Sequence, residues 1–288
     1  MAYMIDYEDD WREGYVDLVQ KVARAGRVRT SRVGVTMEIR DYMFTLAPEA
    51  LDLPLGVGRK LHTPLAAAEA IQLCAGVGMP RLTEAAAKDV ASFVRDPDGT
   101  VHGNYGERVD MQIVDVVDKL KAAPDSRQAV IQIWDKNLDG QFRDPMPRDI
   151  PCTLTITFGI TGDAMLTMSV SMRSSDVWLG IPYDVFQFRQ LQRTIARLVG
   201  CSVGQYCHHS VSMHLYDRDL GKASALTVVD VDSNILKDLK ADGLHAPRAA
   251  NLPGVMLAVL GGSGRALAHE SHQWYHVRLA KAYASTLG

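Results

Sequence analysis

The part of the sequence that decides the fold lies between residues 172 and 184 and reads Met172-Arg173-Ser174-Ser175-Asp176-Val177-Trp178-Leu179-Gly180-Ile181-Pro182-Tyr183-Asp184. It follows a β-rich run, so an arginine and two hydroxyl side chains stand at the end of a predicted strand. A guanidinium is a forked donor and serines add short donors, which together suit a phosphate group. An Arg-Ser-Ser triplet alone is more typical of a polar turn, so its meaning depends on the rest of the chain.

Further motifs surround this stretch in a fixed order. Pro151-Cys152 precedes the arginine, Pro124-Asp125-Ser126-Arg127 stands further upstream, and His214-Leu215-Tyr216 lies downstream. Together with residues 172–184, these segments resemble thymidylate synthases, whose central signature runs RSSDxxLGIPxN. Because several separate motifs occur in the order typical of that family, a chance match is a poor explanation of the resemblance.

The N-terminal half resembles the same family. The segment from Arg29 to Leu46 is similar to the family's early phosphate loop and strand, Glu69 falls on its catalytic glutamate, and Tyr105-Gly106 falls on its Tyr-Gly. The resemblance therefore covers roughly residues 10 to 220.

The resemblance implies a role for each matched residue. Cys152 is the expected nucleophile, Glu69 is expected to order water and move protons, and Tyr105 is a second proton-handling hydroxyl. Asp176 is expected at the pterin, with Glu69 beside it. Substrate binding is expected from Arg29, Arg127, Arg173, Ser174, Ser175, Asp184, His214 and Tyr216.

These roles also imply a homodimer. In the resembling family the arginine of the Pro-Asp-Ser-Arg motif reaches the phosphate in the neighbouring subunit, so Arg127 would cross an interface formed by one face of the sheet. The phosphate would then be held by Arg29, Arg127, Arg173 and Ser174, and the sugar by His214 and Tyr216.

The chemistry of the residues agrees with this reading. C5 of a pyrimidine becomes nucleophilic enough for one-carbon transfer only after a thiolate adds to C6. Cys152 supplies the thiol, and Arg173 in the adjacent strand is expected to favour the thiolate. Glu69 stands in the apolar helix Leu65-Ala-Ala-Ala-Glu-Ala-Ile-Gln-Leu, where an unpaired charge is costly.

Asp184 narrows the expected substrate. Thymidylate synthases carry Asn here, whose amide donates to uracil O4 and accepts from N3–H. Cytosine presents the opposite pattern, and a carboxyl group can accept from its N4 amino group while sharing a proton with N3. The same exchange marks the cytidylate and deoxycytidylate hydroxymethylases of this superfamily. The alternative is that Asp184 only caps the helix after Pro182.

Other departures favour water over hydride in the final step. Thr153 replaces a usual His after the nucleophile, Met172 replaces a usual Gln, and residues 91–94 lack the tryptophans that wall the folate site in many synthases. The resemblance thus implies that a cytidine 5′-monophosphate receives a hydroxymethyl group, with 5,10-methylenetetrahydrofolate as co-substrate and no metal. CMP and dCMP both stay open.

Three alternatives remain at this point. The chain could be a pyrimidine nucleotide methylase in which hydride completes the reaction. It could be a hydrolase with a Cys-His pair, although no His stands at a diagnostic position. It could also be an inactive nucleotide-binding or RNA-binding relative, against which the intact set of Cys152, Glu69 and Arg173 argues.

Composition excludes several other classes. The chain has 288 residues, a formal charge of −3 and 47% hydrophobic residues, which favours a sizeable core and gives no electrostatic reason to expect nucleic acid. The acidic N-terminal segment is unlike a signal peptide and no apolar run is long enough to span a bilayer, so a cytoplasmic protein without membrane contact is expected. Cys207-His208-His209 is better explained as strand than as a metal site.

The pattern of elements predicts an α+β fold, a large mixed β-sheet flanked by helices, in one domain over residues 1–288. Helices are predicted from Trp11 to Gly26, 64–75, 83–94, 109–122, Pro182 to Val199 and 271–287. Strands are predicted at 33–46, 129–134, 152–160, 164–172 and 203–215, with a hairpin turn at Thr161-Gly162-Asp163.

Overall fold

The computed structural model describes residues 3–7, 11–31, 33–54, 56–76, 78, 83–84, 87–88 and 94–229. These residues form a mixed eight-stranded sheet with helices packed against it, so the predicted α+β class is confirmed. The strands are β1 (Tyr3–Tyr7), β2 (Arg27–Ser31), β3 (Gly34–Leu46), β4 (Ala129–Gln132), β5 (Thr153–Ile160), β6 (Met165–Met172), β7 (Ser175–Asp176) and β8 (Ser202–Tyr216). The helices are α1 (Trp11–Ala25), α2 (Thr63–Ala75), α3 (Tyr105–Ala122), α4 (Lys136–Asp139), α5 (Ile181–Val199) and α6 (Leu220–Ser224).

Most of the predicted elements are confirmed to within a few residues. Helix α1 buries Trp11, Tyr15, Leu18, Val19 and Val22 at its helical spacing, and Gly200 ends α5 in a left-handed conformation that suits glycine. In the predicted helix 83–94 only residues 83–84, 87–88 and 94 are described, and 271–287 lies outside the described residues. The single domain over 1–288 stays a prediction.

The sheet is ordered β1-β3-β8-β6-β5-β4, with β2 paired to β3 and β7 paired to β8. Strands β6 and β8 run parallel, so the chain must cross the sheet between them, and α5 makes this crossover. Helix α5 is buried along most of its length and packs on α2 and α3 as well as on the sheet. The crossover fixes the start of α5 next to the carboxyl end of β6.

The core lies between the sheet and helices α1, α2 and α5. The Trp11 ring stacks on Phe44 of β3 with ring centroids 5.3 Å apart, and Phe44 stacks on His208 of β8 at 5.0 Å. Buried aromatic pairs of this kind add to the hydrophobic burial that holds helix and sheet together. No helix among the described residues has both the length and the apolar character that a membrane span requires.

A buried ion network ties the loop after β3 to α5. The Asp52 carboxylate is fully buried and accepts hydrogen bonds from Arg189 Nε at 3.0 Å, Arg193 Nη2 at 2.9 Å and Gln190 Nε2 at 2.7 Å. Burial alone would raise the pKa of Asp52, but Arg193 and Arg189 outweigh it and hold this pKa below its usual value. The carboxylate therefore stays ionised and paired.

Removing the charge of Asp52 should strongly destabilise the fold. In Asp52→Asn the buried Arg189 loses its counter-charge, and an uncompensated charge of this kind costs about 3–5 kcal/mol. Urea unfolding measures the difference in the free energy of unfolding. Glu49→Ala, a change at an exposed residue of the same loop, should stay within about 0.5 kcal/mol of the wild type. Equal effects of the two changes would contradict the network's role.

Candidate active site

A cavity of about 200 Å³ opens between α2, the start of α3 and α5. Most of its lining residues have polar side chains, among them Glu69, Gln72, Tyr105, Asp149, Asp184 and Gln187, while Val94 and Val101 are apolar. Three of these side chains are carboxyl groups from distant parts of the sequence. The structure thus brings three of the predicted catalytic residues, Glu69, Tyr105 and Asp184, into one cavity.

Cys152 directly precedes β5, next to the end of β6, and lies close enough to two carboxyl groups of the cavity, Asp184 and Asp149, for them to raise its pKa. The Arg173 backbone N–H donates to the Cys152 carbonyl at 2.8 Å. The Arg173 side chain also donates from Nε to the Pro151 carbonyl at 2.9 Å and from Nη2 to the Ile150 carbonyl at 2.8 Å. Arg173 therefore holds the backbone that carries the cysteine.

The Cys152 thiol is protonated at neutral pH. Burial raises its pKa to about 11, Arg173 acts in the opposite direction, and Asp184, Asp149 and Asp176 raise it further. The expectation that Arg173 favours the thiolate has the correct sign, but burial and the surrounding carboxyl groups outweigh it. Attack by this sulfur therefore requires a group that takes its proton.

Tyr105 links the cavity to the cysteine strand. Its hydroxyl accepts from the Thr153 backbone N–H at 3.1 Å and lies 3.0 Å from Thr153 Oγ1. Burial, with Cys152 and Asp184 nearby, raises the pKa of Tyr105 well above its usual value. The phenol therefore stays protonated, and Thr153, next to the nucleophile, fixes its position.

Glu69 and Asp184 are carboxyl groups that burial keeps partly or wholly neutral. Burial raises the pKa of Glu69 to about 8, with further contributions from Asp184 and Asp149. Burial likewise raises the pKa of Asp184 to about 7, although a hydrogen bond from Gln187 opposes the shift. At neutral pH, Glu69 is thus mainly protonated, and Asp184 is divided between its two forms.

The alternative role of Asp184 as a helix cap is wrong. Helix α5 begins at Ile181, its N-cap is Gly180, and no side chain makes a capping hydrogen bond there. Asp184 lies one turn inside the helix, where Oδ1 accepts from Gln187 Nε2 at 3.2 Å. Glycine at position 180 leaves room for this carboxyl group, because a Cβ there would lie only 3.2 Å from Asp184 Oδ2. The carboxyl group faces the cavity.

The residues predicted to bind phosphate are spread over several elements. Arg29 on β2 is exposed and pairs with Glu38, with 3.0 Å between Nε and Oε2. Arg127 is exposed in the turn between α3 and β4. Ser174 Oγ lies 3.4 Å from His214 Nδ1, so Ser174 and His214 are neighbours. Phosphate binding by these residues stays a prediction.

The remaining predicted residues lie around β7 and the end of β8. Asp176 Oδ1 accepts from the backbone N–H groups of Trp178 and Leu179 at 2.8 and 3.0 Å. The Tyr216 ring meets His214 edge-on at 5.3 Å. Ser175 is 2% exposed, and its hydroxyl lies 3.4 Å from both Met172 Sδ and His208 Nε2. The structure therefore turns the Ser175 hydroxyl into the core and does not bring it to the cavity.

His208 is a core residue, as the strand alternation indicates. It is fully buried between Phe44 and Tyr206, whose hydroxyl lies 2.8 Å from Nδ1. Burial lowers the pKa of His208 to about 3, with a contribution from His209. Within the part of the chain that the structure describes, no group of three or more His, Cys, Asp or Glu could hold a metal ion.

Sequence reasoning missed Asp149, Gln72 and Gln187 as lining residues of the cavity. Two of them carried a signal. Asp149 stands three residues before Cys152 in the run Asp-Ile-Pro-Cys, and Gln187 follows Asp184 by three positions, which places it on the same side of a helix.

A sequence model of the thymidylate synthase family matches residues 13–229. This chain belongs to the thymidylate synthase family. Among its relatives, the deoxyuridylate hydroxymethyltransferase of Pseudomonas phage M6 is 32% identical over 133 residues, 44% of this chain and 37% of the relative. The deoxyuridylate hydroxymethyltransferase of Bacillus phage SP01 is 28% identical over 224 residues, 72% of this chain and 57% of the relative.

A thymidylate synthase of Listeria monocytogenes serotype 4b is 30% identical over 123 residues, 41% of this chain and 35% of the relative. Relatives named for two different reactions are thus similar to this family member. The matches span between about a third and just over half of these relatives' lengths.

Replacing Glu69 by Gln should stabilise the unliganded protein, and only at higher pH. The raised pKa means that folding opposes ionisation of Glu69. This cost is absent below about pH 4.5, grows as pH rises, and is complete above about pH 8. Each kcal/mol relieved is worth about 2–4 °C in Tm for a domain of this size.

Thermal unfolding at pH values near 4.5 and 8 measures the effect. The melting temperature of Glu69→Gln should exceed that of the wild type by several degrees at the higher pH and match it at the lower. Glu49→Gln, at an exposed position, should follow the wild type at both. If Glu69→Gln is less stable than the wild type at pH 8, burial of the Glu69 carboxylate does not destabilise the folded protein.

Proposed function

We propose that this family member is a hydroxymethyltransferase that adds a one-carbon unit to C5 of a cytidine 5′-monophosphate, with water completing the reaction. The observation that carries the proposal is the carboxyl group of Asp184, which lines the same cavity as Glu69 beside the Cys152 thiol. A reactive sulfur, a base-reading carboxyl group and a proton-carrying carboxyl group are the parts that this reaction needs.

Cys152 is the proposed nucleophile. Its sulfur adds to C6, which makes C5 electron-rich, and its proton leaves as the bond forms because the thiol has a pKa of about 11. Tyr105, held by Thr153, lies close enough to Cys152 for the sulfur to raise the pKa of its hydroxyl. We assign Tyr105 to positioning and proton handling at this step. Arg173 keeps the sulfur in place through the Ile150 and Pro151 carbonyls.

Asp184 is proposed to recognise cytosine through its neutral form. A protonated carboxyl group can donate to N3 while its other oxygen accepts from the N4 amino group. The pKa of Asp184 near 7 keeps this form available. Gln187 donates to Oδ1 and thereby limits how the carboxyl group can turn. An ionised Asp184 would accept from N4 but leave N3 without a donor.

The lining of the cavity supports water as the final reactant. Glu69, Asp149 and Asp184 are carboxyl groups, and Gln72 and Gln187 are amides, so the lining is suited to holding water. The printed names of two relatives also describe hydroxymethyl transfer, to deoxyuridylate. These names support the type of reaction. The choice of cytosine rests on Asp184.

The one-carbon unit is proposed to come from 5,10-methylenetetrahydrofolate. The cavity combines apolar Val94 and Val101 with hydrogen-bond acceptors, a lining that fits a heteroaromatic ring bearing N–H donors. Asp176 and Glu69 are the residues proposed to meet this ring. His214 and Tyr216, in edge-on contact, are proposed to hold the sugar.

The proposal includes a homodimer that works in the cytoplasm. The outward face of the sheet carries Thr157, Ser169 and Cys207 in one cross-strand row, and this face is the proposed interface. Arg127 is exposed and is proposed to reach the phosphate bound by the partner subunit, alongside Arg29, Arg173 and Ser174.

The test is incubation with dCMP, CMP, dUMP and UMP, each with methylenetetrahydrofolate, followed by mass spectrometry of the nucleotide. A cytosine nucleotide should gain one CH2O unit, and Cys152→Ala should abolish the gain. A gain of one CH2 unit with formation of dihydrofolate would identify a methylase. A CH2O gain confined to uracil nucleotides would refute the choice of base.

Asp184→Asn should move the preference towards uracil, because the amide donates to O4 and accepts from N3–H. The change in kcat/KM for cytidine relative to uridine nucleotides should reach at least about tenfold, the effect of losing one buried hydrogen bond to a base. An unchanged ratio would exclude Asp184 as the reader of the base.

The pH profile provides a second check on Asp184. Since the neutral carboxyl group is the binding form, kcat/KM for the cytosine nucleotide should fall as pH rises through about 7. Asp184→Asn lacks the titrating group, and its activity on the uracil nucleotide should lose that fall. A profile shared by both proteins would assign the titration to another residue.

A further inference from the structure

Asp149 is a carboxyl group in the cavity for which the expected chemistry has no role. It lines the cavity with Glu69 and Asp184, and it stands on the loop that leads into β5, three residues before Cys152. Resting on the function proposed above, we propose that Asp149 is the catalytic residue that accepts a proton from the water that completes hydroxymethyl transfer.

The position of Asp149 is fixed from two sides. Arg173 binds the carbonyls of Ile150 and Pro151, the two residues between Asp149 and the nucleophile. On the other side Asp149 packs against Gly103, where an added Cβ would lie 2.5 Å from Oδ2 and 2.7 Å from the backbone oxygen. Residue 103 must therefore be a glycine for Asp149 to approach it this closely. These contacts fix the position of the Asp149 carboxyl group relative to Cys152.

The hydrogen-bonding groups near Asp149 are bound to another carboxylate. Arg108 donates to Asp139 at 2.7 and 3.0 Å, and His102 Nε2 lies 2.7 Å from Asp139 Oδ1. Burial raises the pKa of Asp149 above its usual value and Asp96 adds to the rise, while His102, Arg108 and Arg173 oppose it without cancelling it. Among the described residues no hydrogen bond reaches the Asp149 carboxyl oxygens, so they can accept from a water molecule.

The other two carboxyl groups are less suited to this step. Glu69, with a pKa of about 8, mainly carries a proton at neutral pH, so it is not available to take one from a water molecule. Asp184 accepts from Gln187 and is assigned to the base. Asp149 is the remaining carboxyl group among the described residues that line the cavity.

The water oxygen bonds to the exocyclic methylene carbon on C5, and one water proton passes to the Asp149 carboxylate. The electron pair of the methylene double bond moves into the ring and then expels the Cys152 sulfur from C6. The two hydrogens that the folate has gained on leaving equal the proton lost from C5 and the proton lost from water, so no oxidant or reductant is needed.

The reverse of this step tests the residue without folate. By microscopic reversibility, the group that takes the proton from water also returns it to the hydroxyl group as that leaves. The wild-type protein should therefore exchange the hydroxymethyl oxygen of 5-hydroxymethyl-dCMP or 5-hydroxymethyl-CMP with ¹⁸O-labelled water. Asp149→Asn should slow this exchange about 100-fold or more, the usual contribution of a general acid or base.

A second folate-free reaction separates this role from a structural one. Addition of Cys152 to C6 of dCMP or CMP allows the C5 hydrogen to exchange with deuterium from the solvent, and no water adds to carbon in this reaction. Asp149→Asn should retain this exchange at a rate at least equal to that of the wild type, because removing the carboxylate relieves part of the rise in the pKa of Cys152. Asp144→Asn, a matched change at an exposed residue of the same loop, should leave both exchanges unchanged. Equal loss of both exchanges in Asp149→Asn would show that Asp149 only supports the fold.

Chemical rescue in a second variant tests the same role independently of Asp149→Asn. In Asp149→Ala, added formate should restore part of the ¹⁸O exchange, because a small carboxylate can take the vacated place. Exchange in Asp149→Asn at the wild-type rate would overturn the assignment of Asp149 while leaving hydroxymethyl transfer intact. Absence of ¹⁸O exchange in the wild type, with C5 exchange present, would instead overturn hydroxymethyl transfer itself and with it the role of Asp149.

Discussion

The candidate site depends on the binding of the Arg173 guanidinium to two backbone carbonyls. Nε and Nη2 donate to Pro151 and Ile150, and the Arg173 backbone N–H donates to Cys152. These three bonds attach the loop before β5 to the end of β6. Because carbonyls of a loop have no partners from a sheet, a charged donor satisfies them well. The positions of Cys152 and Asp149 both follow from this attachment.

Helix α5 supplies the other half of the site for a topological reason. Since β6 and β8 are parallel neighbours, the chain between them must cross over the sheet. The start of this crossover lies at the carboxyl end of β6, so Asp184 and Gln187 reach the cavity next to the cysteine loop. The Asp52 network holds the far part of the same helix through Arg189 and Arg193. The stability of this network therefore helps to hold the geometry of the cavity.

The cavity gathers carboxyl groups at a cost to stability. Burial raises the pKa values of Glu69 and Asp184 to about 8 and about 7, which means that folding works against their ionisation. The Asp139 carboxylate shows the opposite arrangement, since Arg108 and His102 bind it directly. Carboxyl groups left without such partners in a cavity are typical of sites that handle protons.

Much of this could be predicted from residue order. The periodicity of Trp11 to Val22 is helical because one face must be buried, and β5 and β6 alternate because one face of each strand packs on the core. Family motifs pointed to Cys152, Glu69, Tyr105 and Asp184. The same reasoning gave Asp184 a capping alternative, because aspartate near a helix start is ambiguous until the first helical residue is known.

The sequence by itself determined the family, the main helices and strands, and the predicted nucleophile with its neighbours in the chain. Only the tertiary structure decided what surrounds them. Arg173 binds carbonyls as well as opposing the pKa rise of Cys152, the Ser175 hydroxyl faces the core, and Asp149 lies with Glu69 and Asp184. The physical reason is that burial and charge pairing depend on groups far apart in sequence. Their distances exist only once the sheet and its crossover helix have formed.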